Sequence, residues 1–148
     1  MCILAVRFLK FDFSDQDLFK KNLKILGEEV LIRVNDKNAY LSVYYDGKIE
    51  LVEWGIQFPK NNKKIFFCKK ESLISGKWAF VFKKNVQVNA SFALSRGVWF
   101  QVRQGLSAVM MKNINGEKCV CIITEPSTHY FEIMTGSKRM PVLINQIL

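Results

Sequence analysis

Asp46-Gly47 stands between two runs rich in β-branched and aromatic residues, Ala39 to Tyr45 and Lys48 to Gly55. A type I′ hairpin needs positive φ at both central residues, and Asp-Gly supplies it at little cost. The dipeptide therefore makes two strands antiparallel neighbours. The same punctuation continues along the chain. Strand candidates follow at Glu29 to Val34, Lys64 to Cys68, Trp78 to Phe82, Val86 to Phe92, Val98 to Arg103, Leu106 to Met111 and Lys118 to Thr124, the last two flanking a second turn dipeptide, Asn115-Gly116. Cys2 to Phe8 is apolar and reads as a strand that carries the N-terminus into the body of the fold. Nothing alternates as βαβ, which argues against a doubly wound parallel sheet. The expected class is α+β, mostly antiparallel and curled toward a barrel.

One helix is expected. Ser14 is a good N-cap with Asp17 three residues on, and Phe13 and Leu18 stand where a hydrophobic staple would. Phe19, Leu23 and Leu26 keep a helical period and Gly27 offers a stop, so the spacing predicts a helix over Asp15 to Leu26. Leu73-Ile74-Ser75-Gly76 has room for one helical turn without a lasting period.

A chain of 148 residues with 49% hydrophobic content suits a single domain with a real core. It has neither a run of about 18 apolar residues nor the features of a signal peptide, so no membrane is expected as a partner. Four cysteines, Cys2, Cys68, Cys119 and Cys121, without a secretory leader imply free thiols in a reducing, cytoplasmic setting. Cys119 and Cys121 fall on one face of a strand. With a single histidine, His129, a zinc site would lack ligands, and neither metal nor cofactor is expected.

The net charge of +9 is concentrated. Residues 60 to 103 hold ten basic side chains against one acid, Glu71, interleaved with Phe66, Phe67, Trp78, Phe80, Phe82, Phe92, Trp99 and Phe100. Cations for phosphates and flat rings for unstacked bases are what a single-stranded nucleic-acid groove requires. The plainer reading is that the rings are core and the lysines a solvated face.

Met1-Cys2 carries the one piece of reactive chemistry. Removal of Met1 would leave Cys2 with an α-amine and a thiol on adjacent carbons, able to condense with an aldehyde and close to a thiazolidine. The two groups ordinarily titrate near ~7.7 to 8.0 and ~8.5, so both reactive forms are expected near neutral pH.

Five further stretches, in order, resemble motifs of the SOS response-associated peptidase (SRAP) family. Glu53-Trp54-Gly55-Ile56-Gln57-Phe58-Pro59 is similar to its W-G-L-I-P, Lys138-Arg139-Met140-Pro141-Val142-Leu143-Ile144 to its H-x-R-M-P-V-I-L, and Ile122-Ile123-Thr124-Glu125 to its I-T-T-E-A. Arg33-Val34-Asn35 stands where the family has R-Y-N, and Cys68-Lys69-Lys70-Glu71-Ser72 where it has A-R-A-E-T. Met1-Cys2 matches the family's start, and Trp99-Phe100 the aromatic pair of a P-Y-F-I strand. The resemblance implies a distorted antiparallel barrel that binds single-stranded DNA and captures abasic sites as a DNA-protein crosslink in the DNA damage response. It assigns Cys2 as nucleophile and Asn35 as the amide that orients substrate. Lys69 takes the place of an Arg that holds phosphate, and Lys70, Lys83, Lys84, Trp54 and Arg139 complete the expected DNA contacts. Trp54 and Arg139 have structural alternatives: packing for the first, bracing of the C-terminal strand for the second.

The departures lie in the acid-base groups. The family's catalytic Glu is expected around Ala90 to Arg96, yet no Asp or Glu occurs from Ser72 to Gly116. Ser137 replaces the family's His, and its hydroxyl is no base near neutral pH. His129, eight residues earlier, would have to be returned to the site by a loop. Three readings follow: a slow abasic-site crosslinker, a non-catalytic single-stranded DNA binder, or a structural or protein-interaction module.

Overall fold

A computed structural model describes residues 2–57, 63–76, 83–113 and 115–148. The expected strand at Trp78 to Phe82, together with Met1, Pro59 and Lys60, lies outside the described residues.

Fourteen strands and three short helices make up the described chain. The strands are β1 (Ala5–Leu9), β2 (Lys24–Leu26), β3 (Glu29–Arg33), β4 (Tyr40–Tyr45), β5 (Lys48–Trp54), β6 (Ile56–Gln57), β7 (Lys64–Ile65), β8 (Phe67–Lys69), β9 (Lys84–Asn89), β10 (Phe92–Ser95), β11 (Val98–Gln101), β12 (Leu106–Lys112), β13 (Lys118–Pro126) and β14 (Arg139–Pro141). The helices are α1 (Asp15–Lys20), α2 (Lys70–Ile74) and α3 (His129–Thr135). β12, β9, β4, β5 and β13 pair in that order, and β13 pairs back onto β12, which closes a five-stranded barrel. A second sheet runs β11-β10-β1-β3-β2 and is antiparallel throughout.

The turn chemistry acts as expected. Tyr45 faces Lys48 across Asp46 and Gly47, at φ 49° and 76°, the two positive values of a type I′ turn. Asn115-Gly116 likewise lies between β12 and β13, with Lys112 opposite Lys118. The expected strands at Lys64 to Cys68 and Val86 to Phe92 are each broken in two, the first at Phe66 and the second between Asn89 and Phe92.

The expected helix over Asp15 to Leu26 is corrected to a single α1. Its start is as read, with the Asp17 N–H donating to Ser14 Oγ at 3.2 Å and Leu18 buried. It ends at Lys20 because Asn22 takes a positive φ of 54°. Lys24–Leu26 then pairs with β3 as an edge strand, and Gly27, at φ 60°, opens the hairpin turn between them. Phe19 is left 82% exposed, and of the helical period beyond Leu18 only Leu23 packs against the core.

β13 organises the rest. Its first half closes the barrel; its second half takes β8 in parallel on one side and β14 antiparallel on the other. Val120 and Ile122 face the main core, while Cys119 and Cys121 face a second core with Cys68, Val109 and Met111. Burial on both faces explains the unbroken apolar run through this strand. No helix among the described residues is long and apolar enough to cross a membrane.

Candidate functional site

Cys2 lies on the main core three residues before the start of β1, where it meets an open cleft of about 760 Å³. The other walls are Leu4, Phe67, Lys69, Arg96, Thr124, Ser137, Lys138 and Arg139. Each arrives by strand geometry. Along β8 the side chains alternate, so Phe67 and Lys69 turn to the cleft while Cys68 enters the second core. Lys69 stands opposite Thr124, and Thr124 opposite Pro141. β13 therefore places one wall between two strands remote in sequence. Arg96 comes from the tight turn between β10 and β11, where Arg96 and Gly97 have φ 46° and 84°.

The cleft is cationic, but its cations differ in state. Arg139 is braced: Nη1 and Nη2 donate to the two Glu71 carboxylate oxygens at 2.7 and 3.2 Å, and Nη2 also donates to Thr124 O at 2.8 Å and Oγ1 at 3.0 Å. The Arg139 hydrogen bonds hold the Glu71 carboxyl below its ordinary range. Arg96 Nη1 donates to the Gly136 carbonyl at 2.7 Å. Among the described residues, no carboxylate lies within ion-pair distance of Lys69, Lys138 or Arg96. Ser137 Oγ donates to the Arg139 carbonyl at 2.7 Å, which locks the chain at the cleft floor.

Cys2 is 6% exposed. Burial pushes its thiol up to about 12, against smaller downward pulls from the N-terminal charge and the Arg139 guanidinium. With Met1 in place the thiol is therefore held protonated near neutral pH, because a thiol with few water neighbours resists ionisation; the expected thiolate belongs to the chain after Met1 is removed.

Cys2, Lys69, Ser137 and Arg139 thus meet in one place, and the remaining expected site residues do not line it. Trp54 is fully buried, with its Nε1–H donating to Phe66 O at 3.1 Å and its ring met edge-on by Phe66 and Phe67. It is a core residue with no face left for a base. Asn35 is exposed and lines a separate groove with Lys63 and Lys64. His129 is exposed at the start of α3, while Ser137 follows that helix's far end, so no loop returns the imidazole. Lys70 pairs with Glu125 at 3.7 Å and, with Lys83, borders a different groove against α2. Lys84 pairs with Asp46 at the Tyr45 end of the barrel.

Arg96 and Lys138 are the additions that motif matching did not single out. Ser95-Arg96-Gly97 is readable as a turn, but only the sheet pairing shows that the turn faces Cys2. Among the described residues, no three His, Cys, Asp or Glu side chains are grouped to hold a metal ion. No protein-family model, curated protein or solved structure matches the chain.

Proposed function

We propose that the Cys2 cleft binds single-stranded DNA and that Cys2, once Met1 is removed, captures the open-chain aldehyde of an abasic site, the activity implied by the resemblance to the SRAP family. The observation that carries this reading is the meeting of Cys2 with Lys69, Arg96, Lys138 and Arg139, contributed by separate parts of the chain. Among the described residues, three of those cations have no carboxylate within ion-pair distance, a state that suits phosphate oxygens. In the reaction the Cys2 amine adds to the aldehyde carbon and water leaves, forming a C=N bond. The thiol sulfur then bonds to that carbon and its proton passes to nitrogen, closing the thiazolidine.

Among the described residues no carboxylate or imidazole lines the cleft, so sugar opening and water loss proceed there without a protein acid or base. That omission costs about 10² to 10⁴-fold in rate. While Met1 is present, burial also holds the thiol protonated, so capture waits on its removal. The same burial favours a second reading, a binder of undamaged single strands that has kept the cleft and lost the chemistry.

Intact mass before and after incubation with a single-stranded oligonucleotide bearing one abasic site separates the two. Absence of Met1 and a denaturation-resistant adduct, lost in Cys2→Ala, supports capture. Retention of Met1, or salt-sensitive binding without adduct, leaves the binder; no binding at low salt removes both.

A further inference from the structure

The outer face of the five-stranded sheet carries aromatic rings that no core requires. Val6, Phe8, Val30, Ile32, Ala93 and Phe100 point inward to the main core. Alternation therefore turns Arg7, Phe92, Leu94 and Trp99 outward. The register sets two rows across this face: Trp99–Leu94–Ala5–Arg33 and Gln101–Phe92–Arg7–Leu31–Lys24. Trp99 is 38% exposed, and Leu4, also 38% exposed, lies just before the first row. Ala5 and Leu31 in the middle of these rows are buried, so the open part of the face is its Trp99 edge, with half-buried Phe92 beside it.

The rings are held in position. The Arg7 guanidinium lies 4.8 Å from the Phe92 ring centre and 5.3 Å from that of Trp99. Glu29 fixes it from the other side at 2.5 Å, and the Ser91 hydroxyl donates to the same carboxylate. Burial pushes the Glu29 carboxyl up, but those hydrogen bonds outweigh it and keep it ionised below its ordinary range. Arg7 is thereby neutralised and serves as a spacer between rings. Glu29 is the only carboxylate on the strands of this face, whereas Arg33 and Lys24 edge its far side.

The face is continuous with the cleft. Leu4 and Arg96 line the cleft, the Leu4 N–H donates to the Leu94 carbonyl at 2.8 Å, and Trp99 stands directly opposite Leu94. We infer that a single strand leaving the Cys2 cleft passes over Arg96 and stacks its bases on Trp99 and then Phe92. This rests on the DNA-binding reading above and adds to it a platform outside the cleft. The rings lie on edge strand β11 and its neighbour β10, next to the Arg96 turn, so a cation for a phosphate stands beside flat faces for unstacked bases.

The test is the affinity of the full chain for a labelled oligothymidylate, by fluorescence anisotropy over a salt series. Trp99→Ala should weaken binding by roughly 5- to 150-fold with an unchanged salt slope, since a stacked base and no phosphate contact is lost. Trp99→Phe should restore most of the affinity. On an oligonucleotide whose flanking nucleotides are replaced by base-free tetrahydrofuran units, wild type and Trp99→Ala should bind alike, which a merely structural role for Trp99 would not produce. Phe92→Leu, which removes the second ring but stays apolar, serves if Trp99→Ala lowers the melting temperature. Unaltered binding by both ring variants, with weakening by Lys69→Ala and Lys138→Ala, overturns the platform and leaves the cleft standing. Absence of any binding by the wild-type chain overturns both.

Discussion

Two cationic clusters sit on this protein, and only one is neutralised from within. At the Tyr45 end of the barrel, Lys48, Lys84 and Lys118 approach the phenol ring at 4.7, 5.4 and 5.4 Å. Lys118 donates to Tyr45 Oη at 2.8 Å and to Glu50 at 3.1 Å, the phenol donates to Glu50 at 2.9 Å, and Asp46 takes Lys84. These contacts raise the Lys118 ammonium above its ordinary pKa. At the Cys2 cleft, among the described residues, only Arg139 has a carboxylate within ion-pair distance. A run of lysines in a sequence looks alike in both settings. Partnered, it closes a barrel end; unpartnered around a cleft, it attracts an anion from outside.

The comparison fails most completely if Cys2 is incidental to its cleft. Cys2→Ala should abolish the denaturation-resistant adduct with an abasic oligonucleotide while anisotropy shows undamaged strands bound as before.

The next effect concerns pH. Cys2 and Cys68 are raised by burial to about 12 and Cys119 to about 11, and Cys121 stands well above its ordinary value of 9.0. The native chain thus keeps protons that the unfolded chain releases. Stability is full below pH about 9 and falls as pH rises toward 11 to 12, by up to about 1.4 kcal/mol per pH unit for each thiol. Urea midpoints measured over that range check it. Alkylation of native Cys2 should be correspondingly slow at pH 8 and accelerate about tenfold per pH unit, as thiolate does, by mass spectrometry.

Lys69→Ala with Lys138→Ala should flatten the logarithmic salt dependence of single-strand affinity by about 1.4, at ~0.7 for each cation. Lys84→Ala with Lys118→Ala should leave that slope unchanged. An equal change in both pairs would erase the distinction between the clusters. The smallest effect belongs to Tyr45→Phe, which removes one hydroxyl from the neutralised cluster and should cost about 1 kcal/mol in a denaturant titration without altering DNA affinity.

Local signals were legible where a few adjacent residues decide the outcome. Asp46-Gly47 specifies its hairpin because few other dipeptides accept two positive φ values, and at Asn115-Gly116 the glycine alone takes the positive φ of 82° that the turn needs. Ser14 specifies where α1 begins, because the cap bond spans three residues. The end of α1 was not legible: Leu23 and Leu26 keep a helical period, but pairing of Lys24–Leu26 with β3 overrides it. Trp54 shows the same limit at the site. Its motif reads equally as loop or core, and burial under Phe66 and Phe67 decides for the core. His129 lies near site residues in sequence and Asn35 in a matching motif, yet the length of α3 keeps the first out of the cleft and the second lines another groove.

The sequence by itself determined the antiparallel β class, both hairpin turns, the concentration of charge and the presence of a cysteine next to Met1. These depend on backbone sterics and composition, which act over a few residues. The tertiary structure alone decided that Lys69, Arg96, Lys138 and Arg139 surround that cysteine, and that Trp99 and Phe92 face outward. Those outcomes depend on which strands β13 and β1 take as neighbours, a choice made by burying two cores at once and carried by no single stretch of chain.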